Sequence, residues 1–90
     1  MSAANRSAAV KHRVQVRIGD EDFVLRSEAP PEYMQKVAAV VDAKFSELQA
    51  IYRHVPRHRV AILTALHLAD ELERLRAENQ ELLALLKEAR

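Results

Sequence analysis

The sequence predicts an α+β protein: a small head of one β-hairpin and one helix, continuous with a long C-terminal coiled-coil helix, in an intertwined homodimer. Three observations carry this. Val14, Val16 and Ile18 alternate with Arg13, Gln15 and Arg17, the period of a half-buried strand. Met34, Val37, Ala38, Val41, Phe45, Leu48 and Tyr52 recur at steps of three and four, the stripe of an amphipathic helix. Beyond Pro56 the chain runs to Arg90 without another proline or glycine and carries a leucine heptad.

In chain order, residues 1–11 are small, polar and aperiodic, and read as a flexible tail. A hairpin follows over 12–26. Gly19, Asp20, Glu21 and Asp22 form its turn, and the chain's only glycine stands where a positive φ is most useful. Phe23 and Leu25 continue the alternation. A lone hairpin is marginal in water, so its apolar face must rest on something. Pro30, Pro31 and Glu32 then open a helix over roughly 31–52, with a proline suited to the first turn and an acid suited to the N-terminus. Arg53 to Pro56 breaks it.

The final helix starts at Pro56 or Arg57 and spans about 50 Å at 1.5 Å per residue, more than so small a head can cover. Residues 12–68 are therefore assigned to a dimeric head and 69–90 to a projecting coiled coil. With Leu72 at position a, Ala65, Asn79 and Leu86 share its column. Ala61, Leu68, Leu75, Leu82 and Ala89 fall at d. One asparagine in an apolar seam is a device for fixing register and favouring two parallel strands, unless Asn79 is merely tolerated near a frayed end. Glu71 at g would face Arg76 at e of a parallel partner. Ile62, Leu63 and Leu66 lie outside the seam, so the start of this helix is apolar on nearly every side and expects cover on every side. Leu83 and Leu85 widen the stripe near the C-terminus. They are either a second contact joining two dimers or half-exposed leucines at a helix end.

Composition narrows the function. The 90 residues contain no cysteine, which excludes a disulfide framework, a thiolate zinc site and a cysteine nucleophile. No run approaches the roughly 20 apolar residues of a membrane span, and the N-terminus lacks a signal-type apolar core, so the expected location is cytoplasmic, away from the membrane. The net charge of +1 argues against a bulk polyanion binder. Locally the signs separate: residues 1–19 and 49–60 are basic, 20–48 and 61–90 acidic, a pattern suited to protein contacts.

Catalytic chemistry finds no seat. His54 and His58 are four apart, but Pro56 lies between them and no acid completes a metal site. His67 reads as a head residue, and Asp70, Glu71 and Glu73 as a solvated helix surface. No nucleophile elbow, phosphate loop or paired buried carboxylates can be placed, and no cofactor is implied. Arg57, His58 and Arg59 are less ordinary, because cations in the first turn of a helix oppose its macrodipole. Either the hairpin acids neutralise them or they meet a partner. A basic stretch before a heptad also suggests a zipper-type DNA binder, yet Val60 to Ala69 is too apolar to lie in a major groove. DNA binding is therefore disfavoured.

The ordering resembles the ZapA family of bacterial cell-division proteins. The resemblance is carried by Val14-Gln15-Val16-Arg17-Ile18-Gly19 with Phe23-Val24-Leu25, and by Glu32-Tyr33-Met34-Gln35-Lys36-Val37-Ala38 with Val41-Asp42-Ala43-Lys44-Phe45. Its sharpest piece is Val60-Ala61-Ile62-Leu63-Thr64-Ala65-Leu66-His67-Leu68-Ala69-Asp70-Glu71-Leu72. His67 and Thr64 stand where such proteins usually have Asn and Ala, and Pro56 where a Ser or Thr cap is common. These departures bear on local packing and capping. The resemblance implies a non-enzymatic adaptor that dimerises through its head, pairs into tetramers through its coiled coil, and cross-links filaments of the division GTPase FtsZ at the mid-cell ring. It implies an FtsZ contact at Gly19, Asp20 and Glu21 of the turn and at His58, Arg59 and Leu63 of the helix start, beside the Arg57 singled out on charge. The oligomer seam would comprise Ala65, Leu68, Leu72, Leu75, Asn79, Leu82 and Leu86. A coiled-coil scaffold for another protein partner is the competing reading.

Overall fold

A computed structural model describes residues 11–89, so the predicted tail, Lys11 excepted, lies outside the described residues, as does Arg90. Strand β1 (His12–Ile18) pairs antiparallel with β2 (Glu21–Ser27). Helix α1 (Pro31–Ile51) and helix α2 (Arg57–Glu88) follow.

The register sets Val14 opposite Leu25, Val16 opposite Phe23 and Ile18 opposite Glu21. The turn is thus two residues, Gly19 and Asp20, where the sequence suggested four. Both have positive φ, 58° and 65°, as in the type I′ turns whose twist matches a hairpin. Glu21 and Asp22 belong to β2, and Asp22 pairs with Arg17 directly across the ladder at 3.1 Å. Glu21 and Asp22 are strand because the two-residue turn starts the ladder at Ile18 and Glu21, and each of these two acids also lies close to a cation.

Two small cores hold the head. Val14, Val16 and Ala38 are buried where α1 crosses β1, with Ile18, Leu25 and Met34 packed round them. Phe45, Leu48 and Val60 are buried between α1 and α2, flanked by Val55 and Leu63. Full burial of side chains of this kind contributes about 1.5–3 kcal/mol each. The Gln35 side chain also donates to the Gln15 carbonyl oxygen at 2.6 Å, pinning α1 to β1.

Neither helix is capped by a side chain. Pro30 and Pro56 stand at the N-caps, and their carbonyls accept the first backbone bonds instead, from Met34 at 3.1 Å and from Arg59 and Val60 at 3.0 and 3.1 Å. Proline suits this place because a helix leaves its first N–H groups unpartnered and proline has none to lose. Thr64 is buried, and its hydroxyl donates to the Val60 carbonyl at 2.8 Å, so a polar group at this packed position is satisfied within its own helix.

Helix α2 has 32 residues, about 48 Å. Its last half-buried residue is Leu68, and from Ala69 to Ala89 every residue is exposed. Leu72, Leu75, Leu82 and Leu86 are 47, 63, 59 and 66% accessible, with Asn79 exposed among them. Within one chain this apolar seam has no partner. Asp70, Glu71 and Glu73 are exposed, as expected of a solvated helix surface, and Glu71 also pairs with Lys44 on α1 at 3.1 Å, while Arg76 lies 3.4 Å from Glu73. The expected interchain Glu71–Arg76 pair therefore meets acids and bases already engaged within the chain.

Candidate partner-binding site at the hairpin tip

The features singled out near the turn and the helix start converge on one structure, a hairpin tip held by both helices. Gly19 is buried at its centre. Its N–H donates to Asp42 Oδ1 of α1 at 2.8 Å, and its carbonyl accepts from Arg57 Nη2 of α2. Arg57 Nη2 also lies 3.1 Å from Glu21 Oε2, and the guanidinium carbon stands 5.2 Å from the centre of the Phe45 ring. That is cation–π range.

This arrangement explains Gly19. A Cβ there would approach Phe45 to 2.7 Å and Arg57 to 3.0 Å, in a backbone conformation that already disfavours L side chains. Asp20 tolerates the same region better than most residues, since short polar side chains bond locally to the backbone. It also explains Arg57. A cation at the start of a helix is unfavourable alone, but Glu21 and the Gly19 carbonyl supply the negative charge and the acceptor. The first of the two sequence alternatives, neutralisation by the hairpin acids, holds for Arg57.

The remaining predicted residues divide. His58 lies with Arg57 beside an open groove of about 430 Å³, whose apolar walls include Ile18, Phe23 and Phe45. Arg59 and Leu63 line a second groove of about 530 Å³ with Tyr52, His54 and Ile62. Glu21, Arg57 and His58 thus line one groove, with Gly19 buried beside Arg57 and Asp20 exposed next to it in the turn, while Arg59 and Leu63 line the other. Leu63 is also a packing residue against Phe45, Leu48 and Val60. His54 and His58 fall beside different grooves.

Sequence reasoning gave no role here to Asp42, nor to Lys44 as the link to α2. An acid beside Val41 and three residues before Phe45, on the edge of an apolar stripe, is the signal that could have pointed to a half-buried acceptor. Lys44 reaches both Glu71 and Glu47, at 3.1 and 3.4 Å. The hydrogen bond to Glu71, with Glu47 nearby, raises its ammonium above the ordinary lysine value against a smaller opposing effect of burial.

Comparison with known proteins decides the family. The family described as "Cell division protein ZapA" matches residues 14–90, from Val14 of β1 through β2 and both helices. The chain belongs to the ZapA family. A ZapA of Halalkalibacterium halodurans is 37% identical over 65 residues, 72% of this chain and 71% of that protein. A ZapA of Geobacillus thermodenitrificans is 34% identical over 77 residues, 86% of this chain and 85% of that one. Among solved structures, a ZapA mutant dimer from Geobacillus stearothermophilus superposes with a TM-score of 0.71 at 33% identity, covering 90% of this chain and 94% of its own. The role supported by these ZapA relatives is in cell division. Among the described residues, no helix is long and apolar enough to cross a membrane.

Proposed function

We propose that this chain is a non-enzymatic adaptor that self-associates through α2 and uses paired heads to bind and cross-link FtsZ filaments at the division ring. The observation that carries the reading is the bare seam of α2. Four leucines in heptad register stand between about half and two-thirds exposed beyond the last point where the head can cover them. Such a seam needs a second helix, and a second copy brings a second head. The family's place in cell division and the dimeric state of the Geobacillus stearothermophilus relative support the same reading.

The mechanism is multivalency. One head can bind a filament weakly, and linkage converts the next contact into an intramolecular one with a high effective concentration. Heads held apart by a coiled coil can engage neighbouring filaments rather than one. The test is sedimentation of GTP-assembled FtsZ at a speed that collects single filaments. This chain is expected in the pellet with FtsZ and in the supernatant without it. If it stays in the supernatant while FtsZ pellets, the adaptor role for FtsZ is wrong and a scaffold for another partner takes its place.

A further inference from the structure

Arg57 looks from the sequence like a partner contact, but the geometry points to a different task. We infer that Arg57 and Asp42 are positioning residues that grip the Gly19 peptide from both sides, joining the hairpin tip to α1 and α2 as one body. The inference rests on the adaptor reading above and specifies how the tip is held in its binding shape.

Three observations lead there. Asp42 takes the N–H of Gly19 and Arg57 its carbonyl, so both polar groups of one turn residue are fixed by different helices. Arg57 also reaches Glu21 while lying near the Phe45 ring, so its charge and one face are already engaged inside the chain. Gly19 leaves room for nothing larger, because the ring and the guanidinium occupy the place of a Cβ. Asp20 is exposed and makes no ion pair among the described residues. Since α2 carries both Arg57 and the leucine seam, the grip ties the tip to the helix that would link two heads. Without it, a two-residue turn at the end of a two-stranded ladder would sample many orientations. Only a fraction of those molecules would be competent to bind, and apparent affinity falls with that fraction.

The test measures tip order and FtsZ binding together in the full chain. Arg57→Gln, Arg57→Lys and Asp42→Ala are compared with the parent, using hydrogen exchange at the Gly19 amide and co-sedimentation with FtsZ at several salt concentrations. Both Arg57 contacts come from Nη2, and lysine keeps the charge but is shorter and has no planar guanidinium to lie over the Phe45 ring. All three variants are expected to exchange the Gly19 amide about tenfold faster or more, as a locally opened segment does. All three should bind FtsZ about fivefold more weakly, the effect of a reduced competent fraction. The slope of affinity against salt should match that of the parent, because no interfacial charge is removed. The Arg57→Gln, Asp42→Ala double variant should lose little beyond the worse single one, since both act through the same peptide.

A flattened salt slope in Arg57→Gln with Gly19 exchange unchanged would make Arg57 a direct contact and overturn the inference. Faster exchange with undiminished binding would overturn it too, by showing that tip order does not matter. Failure of the parent itself to bind FtsZ strikes the adaptor reading, and the exchange measurement still tells whether the grip exists.

Discussion

Replacing Leu72 and Leu75 together by glutamate should separate the paired chains. The two side chains are 47 and 63% accessible in the single chain, so a partner helix can cover about half of each. At about 1.5–3 kcal/mol for complete burial of a leucine, the two contribute roughly 1.7–3.3 kcal/mol per chain, and about 3–7 kcal/mol per dimer. At about 1.4 kcal/mol per factor of ten, their loss weakens pairing by about 10²–10⁵-fold. Four carboxylates brought together across the seam add repulsion in the same direction. Sedimentation velocity across a concentration series is the assay. The parent should sediment as an oligomer at micromolar concentration and the double variant as a monomer with a less stable head. A double variant that keeps the parent's sedimentation coefficient throughout would refute the argument, because the exposed seam would then not be what pairs the chains.

Other perturbations follow from particular residues. Asn79→Leu should raise the melting temperature while broadening the distribution of oligomers seen by sedimentation, since a lone asparagine in the seam trades stability for register. Gly19→Ala should destabilise the head by about 1–3 kcal/mol, from left-handed strain and the 2.7 Å approach to Phe45, and lower its melting temperature by at least about 5 °C. The Lys44 ammonium is raised above 10.5 in the folded chain by Glu71 and Glu47, so its contribution is fully present below the unfolded value and is lost as pH rises through the folded one. A melting series should therefore lose this contribution only at strongly alkaline pH, and Lys44→Met should remove that part of the dependence. Raised salt should weaken co-sedimentation with FtsZ if charged groups rim the contact, whereas salt-independent binding would indicate an apolar one.

The long elements were legible in the sequence because their periods depend only on which positions are apolar. Val14, Val16 and Ile18 marked β1, and the stripe from Met34 to Leu48 marked α1 to within a residue. The unbroken heptads marked α2, whose described end at Glu88 lies two residues short of the expected one. The hairpin turn was less clear. The run Gly19, Asp20, Glu21, Asp22 has turn composition throughout, and only the folded register, with Ile18 opposite Glu21 and positive φ confined to Gly19 and Asp20, shows where the strand resumes. The grip on Gly19 was not legible, because it joins residues 23 and 38 positions away and no local pattern encodes such a meeting. The same holds for Lys44 and Glu71. Arg57 was noticed because it breaks a local rule, and the hairpin acids were already its candidate partners; that Glu21 is the acid it meets, and that it also bonds the Gly19 carbonyl, follow only from the fold.

The most direct test of the adaptor account is low-speed sedimentation of GTP-assembled FtsZ, at a speed that collects bundles and leaves single filaments in solution. The parent chain and the Leu72→Glu, Leu75→Glu variant would be compared at equal concentration. The account predicts that the parent carries FtsZ into the pellet and that the variant does not. Equal pelleting by the two would contradict it, showing that bundling needs no linked heads.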